Sequence, residues 1–355
     1  MYLTIKMYIK VWRIRMFKKH TFVSKVAVIG MALGALSSNA LAEEVWKIQS
    51  HLPTGHIVYQ AEDAWVNNVN EMLGGRLRLE LLPGGSVVAA SETIDAMGYG
   101  IIDGDITSPA YFAGLDKGFA MLADLVGGYT NWTQAFAWCE FGGGKELFQE
   151  VYDNYDIHFV GCSNAGIESL IAKKPIRSVA DFKGVKVRAP SGLASEIFSD
   201  MGAAPLNMGM ADIYSALEKG VIDAADASSY VMNSAAGYHE VAKYPIVDFH
   251  SLPVLSMSVS KKKWDAQPKD IQQIITTAYR DLTVQINLSD MVSRGEIMEK
   301  DKTEGVEPIY WSAEEQNKMR EIAKGVWLEA SKESDLAHKA YESHVNFMKR
   351  LGLLE

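Results

Sequence analysis

Apolar and polar positions along the chain fall into helical and strand periods, and one such pattern occurs twice. "AMGYGIIDGDITS" (96–108) and "ALEKGVIDAADAS" (216–228) share Ala, Gly, an aliphatic residue, Ile, Asp and a small residue at a constant offset of 120. Each copy reads as a helix end, a glycine cap and a short strand. A looser recurrence links "GGRLRLELLPGGS" to "KGVKVRAPSG", each a glycine turn, a strand alternating with period two, and a Pro/Gly break before the next helix. Helix, strand, helix, strand occurring twice predicts an α/β chain of two lobes with mostly parallel sheets and a ligand cleft between them.

The remaining periodic segments connect those lobes. "IHFVGCSN" (157–164) and "VLSMSVS" (254–260) read as strands that cross between them. After Pro268 no proline interrupts the pattern for about 35 residues, which predicts a helix of about 50 Å, long enough to brace both lobes. "VEPIYW" then reads as a strand, and "SAEE" places Ser312 and Glu315 as a capping box for another helix. The terminal "LAHKAYESHVNFMKRLG" is amphipathic and offers its apolar face to its own chain or to a second copy in a homodimer. These elements assign 43–160 plus about 251–285 to lobe I, and 161–250 plus about 286–355 to lobe II.

A length of 355 residues agrees with more than one core. The first 42 residues belong to neither lobe: they hold seven Lys or Arg and no acid, and the apolar "VAVIGMALGALSSNALA" ends in Ala40-Leu41-Ala42. That is the form of a secretory signal peptide cleaved after Ala42, and its apolar run falls short of the roughly 20 residues that a spanning helix needs. Met16 opens "MFKKH", a usual leader start, which leaves Met1 to Arg15 as an upstream extension. Without its seven leader cations the chain keeps 28 basic residues of 35 against 44 acidic ones, a formal charge of −16. Nucleic acid and anionic membrane are thereby disfavoured as partners, and an exported, periplasmic product is expected. Cys139 and Cys162 read as two buried thiols, because a core this large needs no staple. Without a CxxC pair, cysteine-based metal or redox chemistry is excluded.

Catalytic motifs fail on inspection. "GCSNAG" places Ser163 as in a nucleophile elbow, but its fifth position is Ala165 and the chain continues as strand, which makes an exported serine hydrolase a distant alternative. "FGGGK" lacks the first glycine and the Ser/Thr of a phosphate loop and is better read as a helix break. His51 and His56 in "HLPTGH" share no helical face and have no Glu between them, so they make no zincin site. No nucleophile is paired with a base, and no cofactor motif is present.

The stretches "LPTGHIVYQAEDAWVNNVNEMLGGRLRLELLPGGSVV", "ETIDAMGYGIIDGD", "PIRSVADFKGVKVRAP", "MGAAPLNM" and "DIYSALEKGVIDAAD" cover most of 45–265. In that order they resemble the solute-binding proteins of TRAP (tripartite ATP-independent periplasmic) transporters, with "P-I-x-S-x-x-D-F-K-G-x-K-x-R" the most specific. The resemblance implies a periplasmic receptor, not an enzyme, of two-lobed periplasmic-binding-protein architecture with crossing strands and a long helix bracing both lobes. It would close over a small organic acid and deliver it to the membrane permease subunits. Rival readings are a binding protein of another importer, or a sensor.

The arginine that meets the ligand carboxylate in that family falls on Arg188. A guanidinium there offers a planar fork of donors matched to a carboxylate, although a strand-end arginine also serves in structural ion pairs. "EFGGGKELFQEVYDNYDIHFVGCSNAGIE" resembles the branch binding 2-oxo acids and related carboxylates, in which three polar positions hold a cation beside the ligand. Those positions match Glu168, Asp226 and, through a looser spacing, His250. This chain departs there: Glu168 stands for an amide, Asp226 for a longer acid, Ala227 for a tryptophan and His250 for an acid, which implies a wider pocket and leaves the cation in question. Tyr111 in "SPAYFAG", Asn164 and His51 complete the expected ligand-binding set, from loops and strand ends facing the cleft.

Overall fold

The computed structural model describes residues 44–355 apart from Ala165, Ser191, Asp248 and Phe249. The expected leader lies outside the described residues. Eleven strands follow in chain order: β1 (Val45–Ser50), β2 (Arg78–Leu82), β3 (Gly104–Thr107), β4 (Ile157–Asn164), β5 (Glu168–Ala172), β6 (Lys186–Arg188), β7 (Ala204–Leu206), β8 (Ala224–Ser229), β9 (Ile246–Val247), β10 (Val254–Ser260) and β11 (Ile309–Tyr310). They form two sheets, β2-β1-β3-β10-β4 and β11-β9-β5-β8-β6-β7, one in each lobe.

The sheets share a plan. In the first, β2, β1 and β3 run parallel and β10 is antiparallel to β3. In the second, β7, β6 and β8 run parallel and β5 is antiparallel to β8. The 120-residue repeat sits at matching places, and its local chemistry matches as well. Gly100 and Gly220 adopt φ of 68° and 71°, the left-handed region that glycine enters without steric cost. The next amides, of Ile101 and Val221, each bond back over 2.9 Å to the carbonyls of Ala96 and Ala216. Asp103 and Asp223 then tie the incoming strand to its neighbour: their carboxylates accept from the amides of Lys47 and Lys186 at 2.9 and 3.0 Å, and their own amides donate to the carbonyls of the same lysines. The looser recurrence does not survive. It aligned β2 with β6, whereas β6, paired with β8, occupies the place of β1; alternation followed by a turn is common to edge and inner strands and does not distinguish them.

The long helix spans Lys269–Thr303, 35 residues, and joins both lobes. Ile271, Ile275, Tyr279, Leu282 and Ile286 enter the lobe I core with Trp46, Trp65 and Met257. Its far end is fixed in lobe II by buried Asp301, whose Oδ2 lies 2.6 Å from the Tyr230 hydroxyl and 2.8 Å from His239 Nδ1. Among the described residues no helix is long and apolar enough to cross a membrane.

The C-terminal helices depart from the expected lobe boundaries. The helix Ala313–Ala330 packs on Leu193–Asp200 of lobe II, but Asp335–Arg350 returns to lobe I, on Gly118–Ala123 and Gly144–Asp153. Its apolar stripe, including Leu336, Ala340, Phe347 and Met348, is buried there, so the face that suggested a second copy is covered by its own chain. Ser312 caps its helix by accepting from the Glu315 amide at 3.2 Å, but the Glu315 carboxylate reaches the Val179 amide instead of closing a box. Ser163, the rejected nucleophile, is buried in β4 and bonded to the Tyr279 hydroxyl at 3.0 Å.

Cys139 and Cys162 form a disulfide, not two thiols. The helix Trp132–Phe141 lies across β4 and brings their Cα atoms to 6.5 Å, a distance that permits a bridge, and an oxidising compartment makes one where geometry allows. The need for a staple was the wrong criterion. With 23 residues of separation, closing the loop is worth about 3 kcal/mol. Replacing both cysteines by alanine should therefore lower the unfolding free energy by about that amount in urea titration; an unchanged midpoint would mean that the bridge does not constrain the unfolded chain.

Candidate functional site

The two sheets present strand ends to each other, and a cavity of about 210 Å³ lies between them. Lobe I contributes Ser108, Ala110, Ala123, Asp124 and Val126; lobe II contributes Glu168, Pro190, Gly192, Leu193 and Asp226; Ser251 and Pro253 come from the segment returning between lobes. Most of the wall is apolar or small. Its charge is concentrated in three carboxylates.

Asp226 is the centre of the cluster. It lies in β8 opposite Leu170, beside the bulge at Ser169/Leu170, and its Oδ1 stands 3.0 Å from His250 Nε2. Its backbone carbonyl accepts from Arg188 Nη1 at 2.5 Å, and Arg188 Nε donates to the Met208 carbonyl at 3.1 Å. Arg188, the last residue of β6, is 9% exposed; no described residue accepts from its Nη2. Glu168 opens β5, where its amide bonds to the Ser251 carbonyl at 3.0 Å. One donor atom each from Glu168, Asp226 and His250 falls within 4.8 Å of the others. The three positions carried over by resemblance are therefore together in space, including the one matched through loose spacing.

Asp124 was missed. It ends the helix Gly118–Ala123 and lines the cavity from lobe I. Ser251 Oγ donates to its Oδ2 at 2.5 Å and the Leu252 amide to its Oδ1 at 3.3 Å. The same returning segment accepts, at the His250 carbonyl, from the Gly127 amide at 2.7 Å. Trp327 Nε1 and Arg320 Nε bond the carbonyls of Val126 and Gly128 at 2.9 and 3.2 Å, which clamps this turn from the helix Ala313–Ala330. The available signal was a lone acid in the apolar run "FAMLADLVGG", since a solitary charge in a core-forming segment must find a partner or a function.

Of the expected residues only Glu168 and Asp226 line the cavity; Arg188 and His250 stand behind them, and the others stand apart from its wall. Tyr111 is 48% exposed beside His51, ring centroids 5.8 Å apart. His51 Nδ1 lies 3.3 Å from the Ile106 carbonyl, and burial lowers its pKa to about 4, so it is neutral. Asn164 ends β4, fully buried, with neither amide atom bonded to a described residue. His56 caps the helix Ile57–Leu73 through Nδ1.

Burial sets the proton inventory of the cluster. Burial and the charges of Asp226 and Asp124 push Glu168 well above the usual carboxylate range. Burial alone would raise Asp226 too, but the His250 ring, a hydrogen bond with Glu168 and the Arg188 charge together outweigh it and hold the carboxyl below its ordinary value. The pair therefore keeps its proton on Glu168. Asp124 is raised to about 6 by burial, against the bonds from Ser251 and Leu252. Its folded pKa thus exceeds its unfolded value near 4, so the folded state binds more protons across roughly pH 4–6 and stability falls as pH rises through that window. Asp124→Asn should remove up to about 3 kcal/mol of that fall. Urea unfolding of both proteins at intervals from pH 4 to 7 measures the difference, and a stability gap that does not change with pH would show that Asp124 ionises as it does in water.

The family model "Bacterial extracellular solute-binding protein, family 7" (DctP) matches residues 48–333. A monocarboxylate 2-oxoacid-binding periplasmic protein of Nostoc sp. is 26% identical over 313 residues, 86% of this chain and 84% of the relative. Among solved structures, the apo open form of a TRAP periplasmic solute-binding protein from Rhodobacter sphaeroides superposes with a TM-score of 0.81 and 37% identity, covering 88% of this chain and 99% of that one. A TRAP protein of Pseudoalteromonas atlantica with bound sodium and pyruvate shares the fold at TM-score 0.74 and 24% identity, over 88% and 95% of the two chains.

Proposed function

The chain belongs to family 7 of the bacterial extracellular solute-binding proteins, the TRAP receptors, and from that premise we propose that it captures a small organic acid between its lobes and presents it to a membrane permease. The observation that carries this reading is the cavity between the strand ends, lined from both lobes, with Arg188 bonded to the backbone carbonyl of Asp226, one of its lining residues. A ligand in such a cavity touches both walls, so it favours the closed arrangement by the difference in contacts it makes there. Ligand size follows from the small residues of the wall: Ala110, Ala123 and Ala194 leave room for a few carbons beyond the carboxylate.

Arg188 meets the ligand carboxylate in this reading. Its Nε and Nη1 are anchored on backbone carbonyls, which fixes the plane of the guanidinium and prepares its other edge for an anion. The Nostoc relative binds 2-oxo acids, which supports a monocarboxylate of that size. The Pseudoalteromonas protein holds sodium with its pyruvate; here Glu168, Asp226 and His250 gather within 4.8 Å, which supports a positive charge beside the carboxylate at that point. Tyr111, His51 and Asn164 belong to the lobe I approach to the site. Export follows from the leader, cleaved after Ala42 and leaving Glu43 first.

Arg188→Lys should cost about 2–5 kcal/mol of binding, as an ammonium reproduces neither the anchoring nor the fork. Titration calorimetry on the folded variant decides, and undiminished affinity for every acid bound by the wild type would move the carboxylate elsewhere. The intact mass of protein recovered from the periplasm should correspond to residues 43–355; a mass that includes the leader would overturn the cleavage site.

A further inference from the structure

The cavity between the lobes has two unlike ends. Most of its polar side chains form one connected group: Ser251 Oγ donates to Asp124, the Ser251 carbonyl accepts from the Glu168 amide, and Glu168 and Asp226 bring carboxylate oxygens within 4.8 Å of each other. Ser108 stands outside that group, and its Oγ accepts from the Ala110 amide. The rest of the wall is mainly apolar and comes from both lobes: Ala120, Ala123 and Val126 from lobe I, and Pro190, Leu193 and Ala194 from lobe II.

This apolar end is a continuation of the core. Val126, Leu193 and Ala194 belong to one buried cluster with Leu122 of lobe I and Ile197 and Phe198 of lobe II. Ala120 and Ala123 lie three apart on their helix and so share a face, while Phe119 and Leu122 between them enter the same core. Both sides are held in place: Trp327 Nε1 bonds the Val126 carbonyl, and Leu193 and Ala194 begin the helix Leu193–Asp200. No Lys or Arg is among the residues of the cavity wall. A second carboxylate at this end would meet no cation, only the amides that open that helix, and a hydroxyl would leave more hydrogen bonds in water than it finds here. A methylene forfeits no hydrogen bond and gains contact.

Building on the carboxylate-receptor reading, with the ligand's carboxylate at the Asp226 end, the geometry points to an acid with a plain aliphatic chain, its alkyl tail held between Val126 of lobe I and Leu193 and Ala194 of lobe II. A cavity of about 210 Å³ holds roughly seven groups of water size at ~30 Å³ each, slightly more than the non-hydrogen atoms of pyruvate. The chain is therefore about one or two carbons longer than that of pyruvate, and dicarboxylates and polyhydroxy acids are excluded. All such acids share the carboxylate, so discrimination among them belongs to Val126 and Leu193. Closure brings these two walls onto the tail, which makes the tail part of what favours the closed lobes.

The test titrates acids calorimetrically into the protein recovered from the periplasm, in buffer containing sodium and calcium. Along pyruvate, 2-oxobutyrate and 2-oxovalerate, affinity should rise about three- to fourfold per methylene. The five-carbon 2-oxovalerate should bind about thirtyfold or more tightly than the five-carbon 2-oxoglutarate, and 2-hydroxybutyrate about tenfold or more tightly than threonate, which adds two hydroxyls to the same skeleton. Leu193→Ala should weaken 2-oxovalerate about tenfold and pyruvate less than about threefold. Val126→Thr, which keeps the side-chain shape and adds a hydroxyl, should narrow the gap between 2-hydroxybutyrate and threonate at least about threefold. Affinity that is flat or falls along the series, 2-oxoglutarate or threonate bound as tightly as its aliphatic counterpart, or preferences unmoved by both substitutions would overturn the aliphatic tail and leave the carboxylate receptor standing. If none of these acids binds the folded wild type, the receptor reading falls and this inference falls with it.

Discussion

Everything at the centre of this molecule is arranged around carboxylates that are held away from water without a matching number of cations. Burying one such group costs several kcal/mol unless it is paired and hydrogen-bonded, and here three share a cavity of about 210 Å³. The protein meets that cost by local means: a proton kept on Glu168, an imidazole beside Asp226, and a hydroxyl and an amide on Asp124. The returning segment 250–252 supplies most of them. Its two-sided bonding, to Gly127 in lobe I and Glu168 in lobe II, makes the charge cluster part of the joint between lobes.

That placement follows from how parallel strands end. In each sheet three parallel strands run toward the other lobe, and the fourth, antiparallel, belongs to a chain segment that has just crossed or is about to cross. Side chains at the final strand positions then point into the gap without needing long loops to carry them. Arg188 ends β6, Glu168 begins β5 and Asp226 lies in β8, so three strands of one sheet bring the charged residues together on rigid backbone, which sites in loops achieve less accurately.

Legibility in the sequence tracked how local the determinants are. The 120-residue repeat could be read because its signal is covalently contiguous: a left-handed glycine, an amide closing on the helix, and an aspartate that engages the neighbouring lysine on both backbone groups. The resemblance between β2 and β6 misled because alternation reports that a strand has two faces and not which neighbours it takes. The disulfide was misjudged for a similar reason, as nothing within "AWCEF" or "VGCSN" encodes that one helix lies over that strand. Glu168, Asp226 and His250 were found through resemblance, at separations of 58 and 24 residues; no periodicity relates them. Asp124 has no such counterpart, and its role depends on Ser251, 127 positions away.

The long helix constrains how the cavity can open. Its first half is embedded in lobe I and its end is held in lobe II by Tyr230 and His239 on Asp301, so the lobes cannot slide apart along it without breaking buried bonds. Relative movement is left to the connections that follow β4 and precede β10. Gly166, in the first of these, has φ of 90°, and a Cβ there would meet the Asp290 and Ser229 side chains only at ordinary contact distances of 3.7 and 3.8 Å. Backbone conformation, not lack of space, is what selects glycine at that point. Glu168 lies two residues beyond it, and His250 lies in the other connection. A rotation about these connections displaces nearby groups least and the outer walls, Ser108 to Val126 and Pro190 to Ala194, most. The Glu168–Asp226–His250 cluster can therefore remain assembled while access to it changes, so its electrostatic cost is met once, in folding, and the energy of ligand contact is left to act on the lobes.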